Sequence, residues 1–193
     1  MKLIFASQNQ GKVKEVKAIF ANTKFEIYSL YDLGNNMDVE ETGSTFYDNA
    51  LIKAKAVYEY YKEPAVADDS GIVIEQLDGR PGVYSARYAG ENCTYEDNNL
   101  KVISELYNLP EPHRAKFVST AIYYDGKNIV EAVGELHGKV IMEQIGDKGF
   151  GYDPIFVPDG YDQTISEMEL DLKNSISHRG QSFEKLKELL EKN

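Results

Sequence analysis

The sequence predicts a mixed α/β (α+β) domain, a long twisted β-sheet with flanking helices, and three observations carry that expectation. Short apolar runs of strand type mix with segments of helical period, without the strict strand–helix–strand repeat of an all-parallel sheet. One long stretch, KFVSTAIYYDGKNIVEAVGELHGKV, reads as a hairpin with Asp125-Gly126 at its turn. The 193 residues, 42% hydrophobic and 27% charged, suit one globular domain spanning residues 1–193.

The elements follow in order. KLIFAS is the first strand. QNQGKVKEVKAIFAN sets Val13, Val16, Ile19 and Phe20 at helical spacing, and FEIYSL returns to strand. In STFYDNALIKAKAVYEYYK, Ser44 or Thr45 can cap a helix whose apolar face holds Phe46, Ala50, Leu51, Ala54 and Tyr61. PAVADDSGIVIEQL reads as strand, polar break, strand. TYEDNNLKVISELYNL is an amphipathic helix ended by Pro110. FGYDPIFVP is a strand entered through glycines, and SFEKLKELLEKN is the C-terminal helix, with His178 and Arg179 ahead of it.

Charge and composition exclude several classes. A net charge of −11 disfavours non-specific nucleic-acid binding, which needs a broad basic face. No apolar run approaches the roughly 20 residues of a membrane span, and MKLIFASQNQGK is too short in apolar residues for a signal peptide. A single cysteine, Cys93, excludes an intramolecular disulfide and suits the reducing cytoplasm. No Cys/His spacing of zinc type occurs.

Six segments can carry chemistry. Ser7, Gln8, Asn9, Gln10, Gly11 and Lys12 lie at a strand-to-helix turn, where free N–H groups and the helix dipole favour phosphate, though the P-loop pattern is absent. Glu40 and Glu41 precede the long helix, on which Asn49 and Lys53 stand one turn apart. In ADDSG, Asp68 and Asp69 interrupt two buried-looking runs. Carboxylates there can hold a hard divalent cation or take a proton from water, with Ser70 near a phosphate; a tight turn with Gly71 at positive φ is the alternative. GRPGVYSARY is a loop of Arg and Tyr. Phe150, Gly151, Tyr152 and Asp153 set glycine beside aromatic residues able to stack on a flat ring. Lys173, His178 and Arg179 add donors. Together these describe a site for a nucleoside triphosphate with Mg²⁺.

The same segments, SQNQGK, EETGSTFYDNALIKA, ADDSG, GRPGVYSARYAG, GFGYDPIF and SHRGQ, resemble in this order the inosine triphosphate pyrophosphatase family of XTP/dITP diphosphatases. The departures are mild: Ser7 stands where Thr is common, and Asp48 where Glu is common. The resemblance implies an elongated mixed sheet with two lobes around a central nucleotide cleft, and a homodimer. It implies hydrolysis of ITP, dITP and XTP to the monophosphate and pyrophosphate. Ser7 to Lys12 would then contact the triphosphate, with Lys53 stabilising the leaving group. Glu40 and Asp69 would serve Mg²⁺, Asp69 would accept the proton, and Ser70 would touch substrate. Phe150 to Asp153, Lys173, His178 and Arg179 would hold the base. Rival readings are a pyrophosphatase of other base preference, a non-catalytic nucleotide sensor and a nucleic-acid-binding regulator.

Overall fold

The computed structural model describes residues 1–192; Asn193, the last residue of the expected C-terminal helix, lies outside the described residues. The elements are β1 (Lys2–Phe5), α1 (Gln10–Ile19), β2 (Glu26–Ser29), α2 (Phe46–Tyr61), β3 (Ala65–Ile74), α3 (Tyr95–Leu106), β4 (His113–Tyr124), β5 (Ile129–Val140), β6 (Phe156–Pro158), α4 (Leu170–Ile176) and α5 (His178–Glu191). The strands form one sheet in the order β2-β1-β3-β4-β5-β6. β1 runs parallel to β2 and β3, whereas β5 and β6 are antiparallel, so the sheet is mixed as expected.

Three expectations change. PAVADDSGIVI has no polar break: it is one strand of ten residues, with both aspartates inside it. The glycine-entered strand near Asp153 is shorter than expected, because Asp153–Ile155 is a helical turn and β6 keeps only Phe156–Pro158. His178 and Arg179 do not precede the last helix but open it.

The described chain forms two compact units, residues 1–69, 119–134 and 178–192 in one, and residues 70–118 and 135–177 in the other. The polypeptide passes between them within β3, β4 and β5 and again after Ser177.

In the first unit, β3 divides its neighbours by the period of two that a strand imposes. Val66 joins Leu3, Phe5, Val13, Val16 and Phe183, the cluster of α1 and α5. Ala65 and Ala67 join Ala50, Ala54 and Val57 of α2. Each buried Leu, Val or Phe of these clusters contributes about 1.5–3 kcal/mol and each alanine methyl about 0.8 kcal/mol, and the small alanines let α2 approach the sheet closely. Thr45 caps α2 by accepting from the Asp48 N–H, and Asn9 caps α1 by accepting from the Lys12 N–H. The β4–β5 turn is tied by Asp125 Oδ1, which accepts from the N–H groups of Lys127 and Asn128. Ser119 and Ser182 pair their buried hydroxyls, and Gly134 leaves room for the start of α5: a Cβ there would overlap the His178 carbonyl oxygen.

In the second unit, Ile72 and Ile74 of β3 pack with Val102 and Leu106 of α3 and with Phe117, Ile155 and Phe156. A capping box joins Thr94 and Asp97 at the start of α3. Gly71 serves close approach rather than a left-handed turn. Its Cβ would overlap the Gly82 carbonyl oxygen and the Ser85 hydroxyl, which accepts from the Ile72 N–H. Gly71→Ala is therefore expected to cost about 1–3 kcal/mol by overpacking, read as a lower midpoint in urea unfolding. An unchanged midpoint would show that the turn at Gly82–Arg87 can move away freely.

Candidate active site

The two aspartates of β3 face opposite sides of the strand and meet different partners. Asp68 points with Val66 toward α1 and α5. Its Oδ2 accepts from Lys12 Nζ at 3.1 Å and from Arg179 Nε and Nη2 at 3.1 and 3.0 Å. The third contact of Arg179 runs the other way: Nη1 donates to Glu15 Oε2 at 2.8 Å. Glu15, Asp68 and Arg179 are each 2% exposed. Asp68 Oδ1 is buried with no hydrogen-bond partner.

Asp69 points with Ala67 toward α2. Its Oδ2 accepts from Asn49 Nδ2 at 3.0 Å, and its Oδ1 lies 3.7 Å from Lys53 Nζ. Lys53 in turn donates to Glu41 Oε1 at 2.6 Å. Asn49 is fully buried, and the Gly43 N–H donates to its Oδ1 at 2.8 Å, which fixes the amide so that its NH₂ faces Asp69. Asn49 and Lys53 share this side because four residues make roughly one helical turn.

These surroundings push the two carboxyls apart. Burial alone would raise Asp68, but the cations Lys12, Arg179 and Lys53 outweigh it and hold the carboxyl far below the usual range. Asp69 is shifted the other way, raised by burial and by the nearby Glu41 against the opposing pull of Lys53, Lys12 and Asn49. Lys12 is lowered, chiefly by burial, with Arg179 and Lys53 adding repulsion. Burial also acts against Lys53, but Asp69, Glu41 and Asp68 prevail and raise it. Adjacent acids with opposite shifts are how a site separates a fixed charge from a proton acceptor.

Beside them, a cavity of about 510 Å³ is lined by Ser7, Gln8, Asn9, Lys12, Met37, Glu41 and Lys53, among others. It opens at the start of α1, whose first turn carries no acidic residue. Asn9 Oδ1 is used in capping, the Asn9 N–H donates to Ser7 Oγ at 3.2 Å, and Gln8 Nε2 donates to the Met37 carbonyl at 3.0 Å. Gln10 is exposed and Gly11 half-buried on the first turn.

The other expected residues have their own surroundings. Glu40 is exposed in the segment before α2, and it is Glu41 that meets Lys53. Ser70 is half-buried on β3 in the second unit. Also in that unit, Asp153 Oδ2 accepts from the Phe150 N–H at 2.9 Å and from Lys173 Nζ at 2.7 Å. Lys173 Nζ also lies 4.6 Å from the Phe150 ring centre. Tyr152 is buried and donates its hydroxyl to the Ser85 carbonyl at 2.8 Å. His178 is buried at the first position of α5. Glu15 escaped the sequence reading. Its partner lies 164 residues away, and the only signal was an acid among the apolar positions of α1.

Among the described residues, no three His, Cys, Asp or Glu side chains are grouped to hold an ion by themselves. No helix is long and apolar enough to cross a membrane.

A mixed sheet that sets two unlike carboxylates and two lysines beside an anion-attracting helix start has the equipment of enzymes that act on phosphoric anhydrides. The chain belongs to the Ham1 family, whose model matches residues 3–189. It is 45% identical over 192 residues to the dITP/XTP pyrophosphatase of Oceanobacillus iheyensis, covering 98% of each chain. It is 44% identical over 192 residues to the dITP/XTP pyrophosphatase of Caldanaerobacter subterraneus, covering 98% of this chain and 96% of that one. Among solved structures, it superposes on a HAM1 protein from Coxiella burnetii with a TM-score of 0.90 at 34% identity, over the full length of both.

Proposed function

We propose that this chain hydrolyses deaminated purine nucleoside triphosphates, ITP, dITP and XTP, to the monophosphate and pyrophosphate, with Mg²⁺ as cofactor. The observation that carries the proposal is the divided pair on β3. Asp68 is locked as a charge by Lys12 and Arg179, while Asp69, held by Asn49 and near Lys53, is left as the stronger base. The dITP/XTP pyrophosphatase names of its relatives support the substrate class.

The carboxylate oxygens present suit a hard cation, and among the described residues neither thiol nor imidazole lines the cavity. One or two carboxylates are what Mg²⁺ ordinarily takes from protein, the rest of its shell being water and substrate phosphate. Asp69 and Glu40 would hold the ion, which neutralises phosphate charge when bound. Asp69 then accepts the proton of the attacking water. Asn49 keeps the carboxylate aimed, and Lys12 and Lys53 stabilise the departing pyrophosphate. The Ser7–Lys12 turn offers its N–H groups to the phosphate chain.

Phe150, Gly151, Tyr152 and Asp153, with Lys173, are assigned to the base, as are His178 and Arg179 beside Arg179's hold on Asp68. Hypoxanthine and xanthine carry an acceptor oxygen at C6, where adenine carries an amino donor. A site offering donors there rejects adenine by leaving buried donors unpaired, which can be worth roughly 10⁴-fold. A second copy of the chain is the expected partner, from the family resemblance, and sedimentation at micromolar concentration checks it.

The experiment is a panel of ITP, dITP, XTP, GTP, ATP and pyrimidine triphosphates with Mg²⁺, assayed separately for pyrophosphate and phosphate. Pyrophosphate release with kcat/KM for ITP far above that for ATP is expected. Equal rates on ATP and ITP would sink the base assignment, and phosphate without pyrophosphate would move the cut to another bond.

A further inference from the structure

We propose that Asn99 on α3 is a positioning residue for base selection, holding the Gly149–Asp153 loop in the shape that reads the purine. The inference rests on the reading, given above, that this loop holds the base.

The loop is backbone-determined. Gly149 and Gly151 both take positive φ, at 79° and 65°, so the pitch of Phe150 between them depends on what fixes the peptide groups. Two loop side chains supply part of this: Asp153 reaches back to the Phe150 N–H, and the Tyr152 hydroxyl is tied to Ser85. The Gly151 carbonyl is fixed from outside. Asn99 Nδ2 donates to it at 3.2 Å and to Gln144 Oε1 at 3.0 Å. One turn earlier on the same face of α3, the Tyr95 ring lies 6.2 Å from the Phe150 ring, centre to centre. Helix α3 thus grips the loop at two successive residues.

Asn99 is an expensive choice for that place. It is 1% exposed, and its Oδ1 is buried with no hydrogen-bond partner. Turning the amide over gives no relief, since Oδ1 would then face the Gly151 carbonyl oxygen. An apolar residue would avoid the orphaned acceptor but would surrender the Gly151 carbonyl. The neighbouring Asn98 differs in using both ends of its amide, accepting from the Ala89 N–H and donating to the Ala86 carbonyl. The specific yield of Asn99 is a fixed Gly151 peptide, the pre-organisation that recognition of a flat ring requires.

The test compares kcat and KM for ITP and ATP in four variants, with circular dichroism confirming the fold. Asn99→Asp keeps the shape but turns the donor into an acceptor, and Asn99→Ala removes it. Both are expected to raise KM for ITP and to lower the ITP-to-ATP ratio of kcat/KM by about 10- to 100-fold, with a smaller change in kcat. Leu100→Ser, on the exposed side of α3, should leave the ratio unchanged. Phe150→Ala tests the underlying reading. If it shifts the ratio and the Asn99 variants do not, Asn99 has no positioning role. If Phe150→Ala leaves the ratio unchanged, the base-holding role of the loop falls, and this inference with it. Should the Asn99 variants not fold, the wild-type protein decides: the Asn99 side-chain amide resonance should shift on adding the product IMP, and no shift overturns the inference.

Discussion

Asp69→Asn is expected to bind ITP with near-native affinity while losing about 10²- to 10⁴-fold in kcat, the span typical of removing a positioned general base. The substitution keeps the size of the side chain, and its oxygen can still accept from Asn49 Nδ2. What disappears is the capacity to take a proton, together with the charge offered to Mg²⁺, so binding is compared at saturating Mg²⁺. Asp69 is the acid that its surroundings raise, through burial and Glu41, so it is the better proton acceptor of the pair. The wild-type rate should fall on acidification as Asp69 becomes protonated, and the residual rate of the variant should lack that limb. Stopped assays of pyrophosphate across pH, with nucleotide binding measured separately, give both readouts. A variant turning over near the wild-type rate would remove Asp69 from the role of base.

The second large effect concerns stability. Arg179→Met should cost about 3–5 kcal/mol, because it strands two buried carboxylates, Glu15 and Asp68. Adding Glu15→Gln should recover part of the loss, by making one of the abandoned groups neutral. Equilibrium urea unfolding of the wild type, the single and the double variant measures this; a loss under about 1 kcal/mol would mean that water or Lys12 replaces the guanidinium without difficulty. The pH dependence has a definite sign. The folded pKa of Asp68 lies below its unfolded value, so its stabilisation is full above the ordinary carboxylate range, near pH 4, and is lost as pH falls through the folded value. Arg179→Met should flatten that acid slope.

Local patterns in the sequence were legible where the physics is local. The helix period of α1 to α3, a cap at Ser44 or Thr45 and the Asp125-Gly126 turn follow from neighbours a few residues apart; all appear in the structure, with Thr45 the residue that caps. The one-turn spacing of Asn49 and Lys53 put them on one face of α2; that this face meets Asp69 is made by the fold. The misreading of PAVADDSGIVI has a physical cause. Two acids look like a turn until their compensating charges are known, and those come from Lys12, Lys53 and Arg179, up to 111 residues away. Gly71 was open to the same error: positive φ is a local property, whereas close approach to Gly82 and Ser85 is made by the fold. Glu15 and Glu41 were undervalued for a related reason, since an acid on a helix or before one is usually solvated, and only tertiary pairing separates Glu41 from its exposed neighbour Glu40.

The alternation along β3 has a consequence for how the chain tolerates change. Alignment of Ile4 with Ala65 and Phe5 with Val66 decides which aspartate meets Lys12 and Arg179 and which meets Asn49. Inserting or deleting a single residue between β1 and the aspartates, in a way that shifts this alignment by one, would turn each acid to the other face of β3, so that only one of the two could stand where an acid stands now. In one direction the guanidinium would meet Asp69 and Ser70 would stand at the place of the base; in the other, Asp68 would stand there and Ala67 would face the guanidinium. Such a protein would retain every residue assigned to the reaction and still lack the divided pair, so the fidelity of one strand pairing is itself part of the chemistry.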